Sequence, residues 1–372
     1  MPRPVRGRND LLFDERDKSY VDLHAGFGAV FMGHCHPGIT RAVTRQLELL
    51  WTCGGAPTDV YQRACRALAD ALGSRFRAAG LYSTGMEANE FALRYARVIT
   101  GKSGWAGFDG SMYGKSQATA ALAWPSGTLP TPADCHRLPF PGPRSEERVL
   151  EQLRALLGGA SVGAVLIEPI LGSSGGAAAS TAFYQAVARL AREHDALLVV
   201  DEILTGFHRT GTRFRFEALG LQPDVVVVGK ACGNGFPVSA VMIDARRQVV
   251  PQMLPGSTFG GNPLACASVV ATWAAMSEGD IGARVQAIAD IITTHLGWLA
   301  DSPLTLRGGG ALWVIDGLAP GSVPALLESL YLQGCYLSGS GTQIRLLPAS
   351  TIEIGNLTSA CAAVSTSLRA LV

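Results

Sequence analysis

Three short apolar runs, each ending in a charged group, constrain this chain most: Ala164–Ile167 before Glu168, Leu197–Val200 before Asp201, and Val225–Val228 before Gly229 and Lys230. A run with no polar alternation has no solvent face, so these segments fit strands of a parallel sheet covered on both sides. Between the first two lies Thr181–His194, with helical spacing and a Ser180-Thr181 start that can cap it. Strand, helix and strand in that order make a βαβ unit, whose functional groups belong at the carboxyl ends of the strands. Glu168, Asp201 and Lys230 stand at those ends. A charge emerging from an apolar strand needs a partner or a ligand to offset its desolvation.

Elsewhere, Glu87–Ile99 reads as a helix opening on Ser83-Thr84-Gly85-Met86, and residues 55–73 and 264–298 also have helical periodicity. Ala311–Ile315 and Gln343–Leu347 are strand-like, and with a final helix near 353–370 they suggest a smaller α+β unit. The tract Pro125–Glu147 carries six prolines and reads as a long ordered loop or a surface excursion. A chain that is 48% hydrophobic and 16% charged, with net charge +1, can bury a large core and lacks the basic excess of a nucleic-acid binder. Ala196–Val200 and Val225–Val228 are far shorter than the roughly 20 residues of a membrane helix, and the N-terminus has no apolar signal core. The expectation is a soluble cytoplasmic protein with neither a membrane nor a nucleic-acid partner. Its eight cysteines lie no closer than twelve positions apart, which gives no CxxC metal or redox pair. They read as small core residues in a reducing compartment.

Lys230 is one of only four lysines and the only one that follows a strongly apolar strand and precedes a flexible Gly233-Asn234-Gly235 turn. A partly desolvated lysine has a lowered pKa and can act as a nucleophilic amine in Schiff-base chemistry, or it can simply snorkel to solvent. Asp201 could back a cationic ring nitrogen or cap the next turn. The Ser83–Met86 turn could cradle a phosphate or be an ordinary N-cap. The segment from Gly110 to Ser116 resembles a P-loop but has three residues between its glycines where four are needed, so a nucleotide hydrolase is a remote alternative. No GxGxxG follows a strand. His34 and His36 could ligate a metal, but Pro37 ends the segment and a structural turn fits better, so no metal is expected.

From about residue 10 onward, the sequence resembles the class III pyridoxal-phosphate (PLP) aminotransferases, the ornithine, acetylornithine and 4-aminobutyrate group. The segments that carry the resemblance are DLLFDERDKSYVDLHAGFGAVFMGHCHP, STGMEANEFALRYAR, EPILGSSGG, VVDEILTGFHRTG, GKACGNGFPVSAV and GSTFGGNPLACA, in the family's order. The resemblance implies fold type I, an α/β fold with a large domain built on a mainly parallel sheet plus a smaller α+β domain. Residues 46–262 would form the large PLP-binding domain, and residues 1–45 would join 263–372 in the small one. It also implies that Lys230 holds PLP and moves the proton, that Asp201 pairs with the pyridinium nitrogen, and that Thr84 with the N–H groups of Gly85 and Met86 holds the phosphate. Thr258 would reach the phosphate of the neighbouring subunit in a homodimer, Ile203 would lie against one ring face, and Glu168 would support the cofactor site. The chain starts almost directly at the family's first strands, as a trimmed member would.

The departures from the family pattern are this chain's own. The aromatic residue expected on the second ring face is replaced by Met112, unless Tyr113 shifts into its place. The family's nearby arginine is Lys115, a point charge without a bidentate fork, which suits a phosphate or hydroxyl-rich substrate better than a planar carboxylate. The usual glutamine contacting the ring oxygen is Leu204. Ser173 stands where members acting on ω-amino groups carry a glutamate that masks a C-terminal arginine matching Arg345. Without that glutamate, Arg345 is expected to bind the α-carboxylate of an amino-acid donor. The expected activity is ping-pong transamination from an α-amino acid, glutamate or alanine, to a carbonyl acceptor in a specialised biosynthetic pathway. An aminomutase or epimerase of the same family is the alternative.

Overall fold

A computed structural model of the chain describes residues 3–123, 131–247 and 256–372. Strands β1 (Pro4–Arg8), β2 (Leu11–Asp14) and β3 (Ser19–Asp22) form an antiparallel ribbon. The central sheet is built from β4 (Phe76–Tyr82), β5 (Gly104–Phe108), β6 (Cys135–Leu138), β7 (Val162–Ile167), β8 (Leu197–Asp201), β9 (Val225–Val228) and β10 (Ser239–Asp244). Their order is β4-β10-β9-β8-β7-β5-β6. From β9 to β6 every pairing is parallel, whereas β10 runs antiparallel to both β9 and β4. Every residue of β7, β8 and β9 is buried, as continuous apolar runs in a doubly covered sheet must be.

The C-terminal third adds β11 (Thr305–Gly309), β12 (Leu312–Asp316), β13 (Cys335–Tyr336), β14 (Ser338–Ser340) and β15 (Gln343–Leu346). An antiparallel sheet takes the order β11-β12-β15-β14. β13 instead pairs in parallel with β3, Cys335 opposite Val21, so the two ends of the chain share one sheet.

Helices form where cap and periodicity agree. Ser180 caps Thr181–Glu193 by accepting the Phe183 N–H. Thr84 and Glu87 form a reciprocal capping box at the start of Gly85–Thr100. The helical stretch 264–298 is two helices, Pro263–Ser277 and Ile281–Leu296, with Asp280 capping the second.

Three local expectations change. The proline-rich tract is more than a loop: Cys135–Leu138 is the edge strand β6, and a helix begins at Glu146, while residues 125–130 lie outside the described residues. Pro37 opens the helix Pro37–Leu47, where a missing N–H costs nothing. The Gly233–Gly235 turn is pinned, because Asn234 Oδ1 accepts the Met32 N–H at 2.7 Å and its Nδ2 donates to the Gly33 carbonyl at 3.1 Å.

Candidate active site

The carboxyl ends of β7, β8 and β9 bring Glu168, Asp201 and Lys230 to one wall of a cavity of about 360 Å³. A second cavity of about 310 Å³ adjoins it and shares Met112, Ile203 and Lys230. Lys230 sits at φ 44, in the left-handed region that residues with a Cβ seldom adopt, just where β9 turns into a short 3₁₀ segment. Its Nζ has no hydrogen-bond partner among the described residues. Burial pushes the amine below its ordinary pKa; the charges of Asp201 and Glu168 oppose that shift, while Arg209 and Arg345 add to it.

Asp201 makes two contacts within the protein. Oδ1 accepts the Ile203 N–H at 2.9 Å, closing the turn after β8, and Oδ2 accepts from Asn89 Nδ2 at 2.7 Å. Burial raises its pKa, and these two hydrogen bonds pull it back. Glu168 accepts the Met112 N–H at 3.0 Å and the Gly172 N–H at 3.2 Å. Burial, reinforced by the negative charge of Asp201, pushes its carboxyl up to about 7. Glu168 therefore fixes the backbone on which Met112 stands.

The smaller cavity is walled by Ser83, Gly85 and Met86 at the start of the helix Gly85–Thr100. Thr84 is exposed and outside that wall, and its hydroxyl both accepts the Glu87 N–H and donates to the Glu87 carboxylate. Glu87 also takes the Ser83 and Thr84 N–H groups, which leaves the first-turn N–H groups of Gly85 and Met86 to face a ligand. Gly85 is there for space: a Cβ on it would stand 2.5 Å from Ile203 Cδ1.

Tyr113 is fully buried, and its hydroxyl donates to the Leu166 carbonyl at 2.8 Å. Its ring belongs to the core, and Tyr113 lines only the smaller cavity, whereas Met112 lines both. Leu204 packs with Ile170, Leu312, Val314 and Leu347 in a small apolar cluster. A Cβ at Gly172 would stand 2.1 Å from Leu204 Cδ2, so glycine makes room for this side chain.

The larger cavity is also lined by Phe27, Arg345, Ser173, Ser340 and the exposed Lys115. Arg345 Nε is buried without a partner, and among the described residues no carboxylate pairs with the guanidinium. Thr258 is exposed and lines neither cavity. A larger recess of about 1050 Å³ opens at the other ends of the strands, but Arg75, Arg246 and Arg247 in its wall are already paired with Asp244 and Asp224.

The family profile described as Aminotransferase class-III matches residues 3–368. The chain belongs to the class III aminotransferases. It is 33% identical to a 2-aminoadipate transaminase of Pseudomonas putida, with 93% of this chain and 91% of the relative covered. It is 32% identical to an acetylornithine aminotransferase of Bacillus subtilis, with 93% and 90% covered. An amine transaminase from an uncultivated Pseudomonas species, solved with PLP bound, shares the fold at TM-score 0.92 and 21% identity, with 100% and 95% covered. The ornithine aminotransferase of Toxoplasma gondii matches at TM-score 0.87 and 25% identity, with 99% and 90% covered.

Class III aminotransferases use PLP, and this site fits it. A phosphorylated aromatic aldehyde with a basic ring nitrogen calls for an unpartnered amine, a buried carboxylate and open N–H donors at a helix start. Lys230, Asp201 and the first turn after Thr84 supply them around one cavity system. Sequence reasoning missed Asn89, which holds Asp201; Arg209, whose charge acts on Lys230; and Phe27, which lines the larger cavity. Asn89 had a faint signal, a polar residue on the apolar face of its helix, whereas Arg209 and Phe27 had none.

Proposed function

We propose that this aminotransferase moves an amino group from an α-amino acid, glutamate or alanine, to a carbonyl acceptor of a specialised biosynthetic pathway, by a ping-pong mechanism. PLP, when bound, supplies the electron sink that stabilises charge at the substrate Cα. Lys230 would hold the cofactor through its Nζ, and the same amine is placed to move the proton at the substrate Cα. Asp201, whose hydrogen bonds from Asn89 and the Ile203 N–H favour its ionised form against burial, would pair with the ring nitrogen and favour its protonated form. The Gly85 and Met86 N–H groups would hold the phosphate, with Thr84 bracing their turn, and Ile203 and Met112 would flank the ring. Leu204 offers the ring oxygen no donor. Glu168 sets Met112 in place.

The observation that carries the substrate reading is Arg345, a guanidinium lining the same cavity as Lys230 with no carboxylate partner among the described residues. A half-buried cation left in this state is offset by an anionic ligand. The α-carboxylate of the donor suits it, and Ser173 offers no rival charge. Lys115, at the exposed rim, meets the distal end of the acceptor. The names of the two relatives, a 2-aminoadipate and an acetylornithine enzyme, are consistent with amino-acid substrates. A donor panel on Arg345→Ala tests this: KM for glutamate or alanine should rise at least tenfold, and an unchanged KM would reject the assignment.

The working unit is proposed to be a cytoplasmic homodimer with Thr258 reaching the partner's phosphate site. Thr258 lies away from its own cavity, and its neighbour Phe259, like Leu49 and Trp51, is left 64%, 69% and 62% exposed respectively, as an association surface requires. No helix of the described residues is long and apolar enough to cross a membrane. The division into 1–45 with 263–372 and 46–262 remains a proposal, with the helix Pro37–Leu47 running across its first boundary.

A further inference from the structure

Residues 25–28 form a turn that is unusual for its composition. Ala25, Gly26, Phe27 and Gly28 take φ values of 44, 59, 57 and 80, four consecutive residues in the left-handed region, two of them with side chains. A phenylalanine at positive φ is strained, and such strain persists only where the surroundings impose it.

Here they do so from both sides. Asp22 Oδ1 accepts the N–H groups of His24 and Ala25 at 2.8 and 2.9 Å, and its Oδ2 is held by His34 Nε2 at 2.7 Å. Past the turn, the fully buried Arg209 donates from Nη2 to the Gly28 carbonyl at 2.7 Å. The braces fix Phe27, a residue 53% exposed, in the cavity lining, and Arg345 Cζ stands 5.2 Å from the ring centroid. The His24 ring meets Phe27 edge-on at 4.3 Å.

We propose that Phe27 is a specificity-determining residue, an aromatic rest that holds the Arg345 guanidinium ready for a substrate carboxylate. The inference rests on the reading of Arg345 given above. A carboxylate partner would hold the guanidinium equally well but would compete with the substrate for its N–H donors. The ring face attracts the cation through its quadrupole and occupies none of those donors. Substrate then meets an ordered fork, and little rotamer freedom is left to lose on binding. The turn spends backbone strain on placing one ring.

The test uses the PLP-loaded enzyme and two probes: glutarate, an unreactive carboxylate followed by calorimetry, and L-glutamate, followed by turnover. Phe27→Leu keeps an apolar side chain at an exposed position and removes the ring. It should weaken glutarate binding and raise the L-glutamate KM by about three- to tenfold, the range of a partly desolvated cation–π contact, with kcat within about twofold. Phe27→Tyr should restore both. If Phe27→Leu leaves both within about twofold while Arg345→Ala weakens them, the role of Phe27 is refuted and Arg345 keeps its own. If Arg345→Ala changes neither, the carboxylate site is wrong and this inference falls with it.

Discussion

Asn89 Nδ2 donates to Asp201 Oδ2 at 2.7 Å and to the Tyr113 carbonyl at 2.8 Å, tying the helix that follows the Ser83–Thr84 turn to the acid at the sheet's centre. Both residues are buried, so water cannot replace the bond if it is lost. Burial alone favours a neutral Asp201, and a neutral acid cannot keep a ring nitrogen protonated.

Asn89→Ala is therefore expected to weaken PLP binding by at least tenfold, since a hydrogen bond to a buried charged group is worth about 1.5–3 kcal/mol. Spectrophotometric titration of the apoenzyme with PLP reads this directly. Retention of wild-type affinity would show that the Ile203 N–H is sufficient to hold Asp201 charged.

The raised carboxyl of Glu168 has a consequence for stability. A group with a pKa near 4.5 unfolded and about 7 folded binds its proton more tightly in the folded state between those values. Its stabilising contribution is complete below pH 4.5 and is lost as pH rises through about 7, on the order of 3 kcal/mol for a shift of this size. Glu202, also pushed up to about 7 by burial, adds to the same trend. Denaturant unfolding of the apoenzyme should show lower stability at pH 8 than at pH 5, and Glu168→Gln should reduce the difference without abolishing it.

Several parts of this site were legible in the sequence. The runs of β7, β8 and β9 are apolar on both faces because helices cover both sides of the sheet, and that uniformity exposed Glu168, Asp201 and Lys230 as anomalies at their ends. β5 (GWAGF) and β6 (CHRL) carry small or polar residues and gave no such signal, and β10 gives no hint that it runs antiparallel. Tyr113 was ambiguous because only the tertiary acceptor, the Leu166 carbonyl, draws its ring into the core. Arg209 looks like any of the 27 arginines, yet it is fully buried and its two Nη atoms donate to the carbonyls of Gly28, Ala311 and Pro348, partners 139 residues away at the furthest along the sequence on one side and 181 on the other. Non-local contacts of that kind leave no periodicity to read.

Subunit sharing of the site can be tested by complementation. Lys230→Ala and Thr258→Ala homodimers should each be impaired at limiting PLP. Mixed dimers place an intact Lys230 opposite an intact Thr258 in one of their two sites, so about a quarter of all sites should recover after random exchange. Absence of recovery, with exchange verified by differential tagging, would place Thr258 outside the partner's site.

The central claim, that Lys230 is the amine that holds PLP, is tested most directly by reducing the PLP-loaded protein with borohydride and mapping the pyridoxyl group by peptide mass spectrometry. With only Lys18, Lys102, Lys115 and Lys230 available in the chain, the assignment is unambiguous. The expected result is a label on Lys230 alone, and the loss of both label and visible absorption in Lys230→Ala. A label on another lysine, or a visible band that survives in Lys230→Ala, would contradict the account.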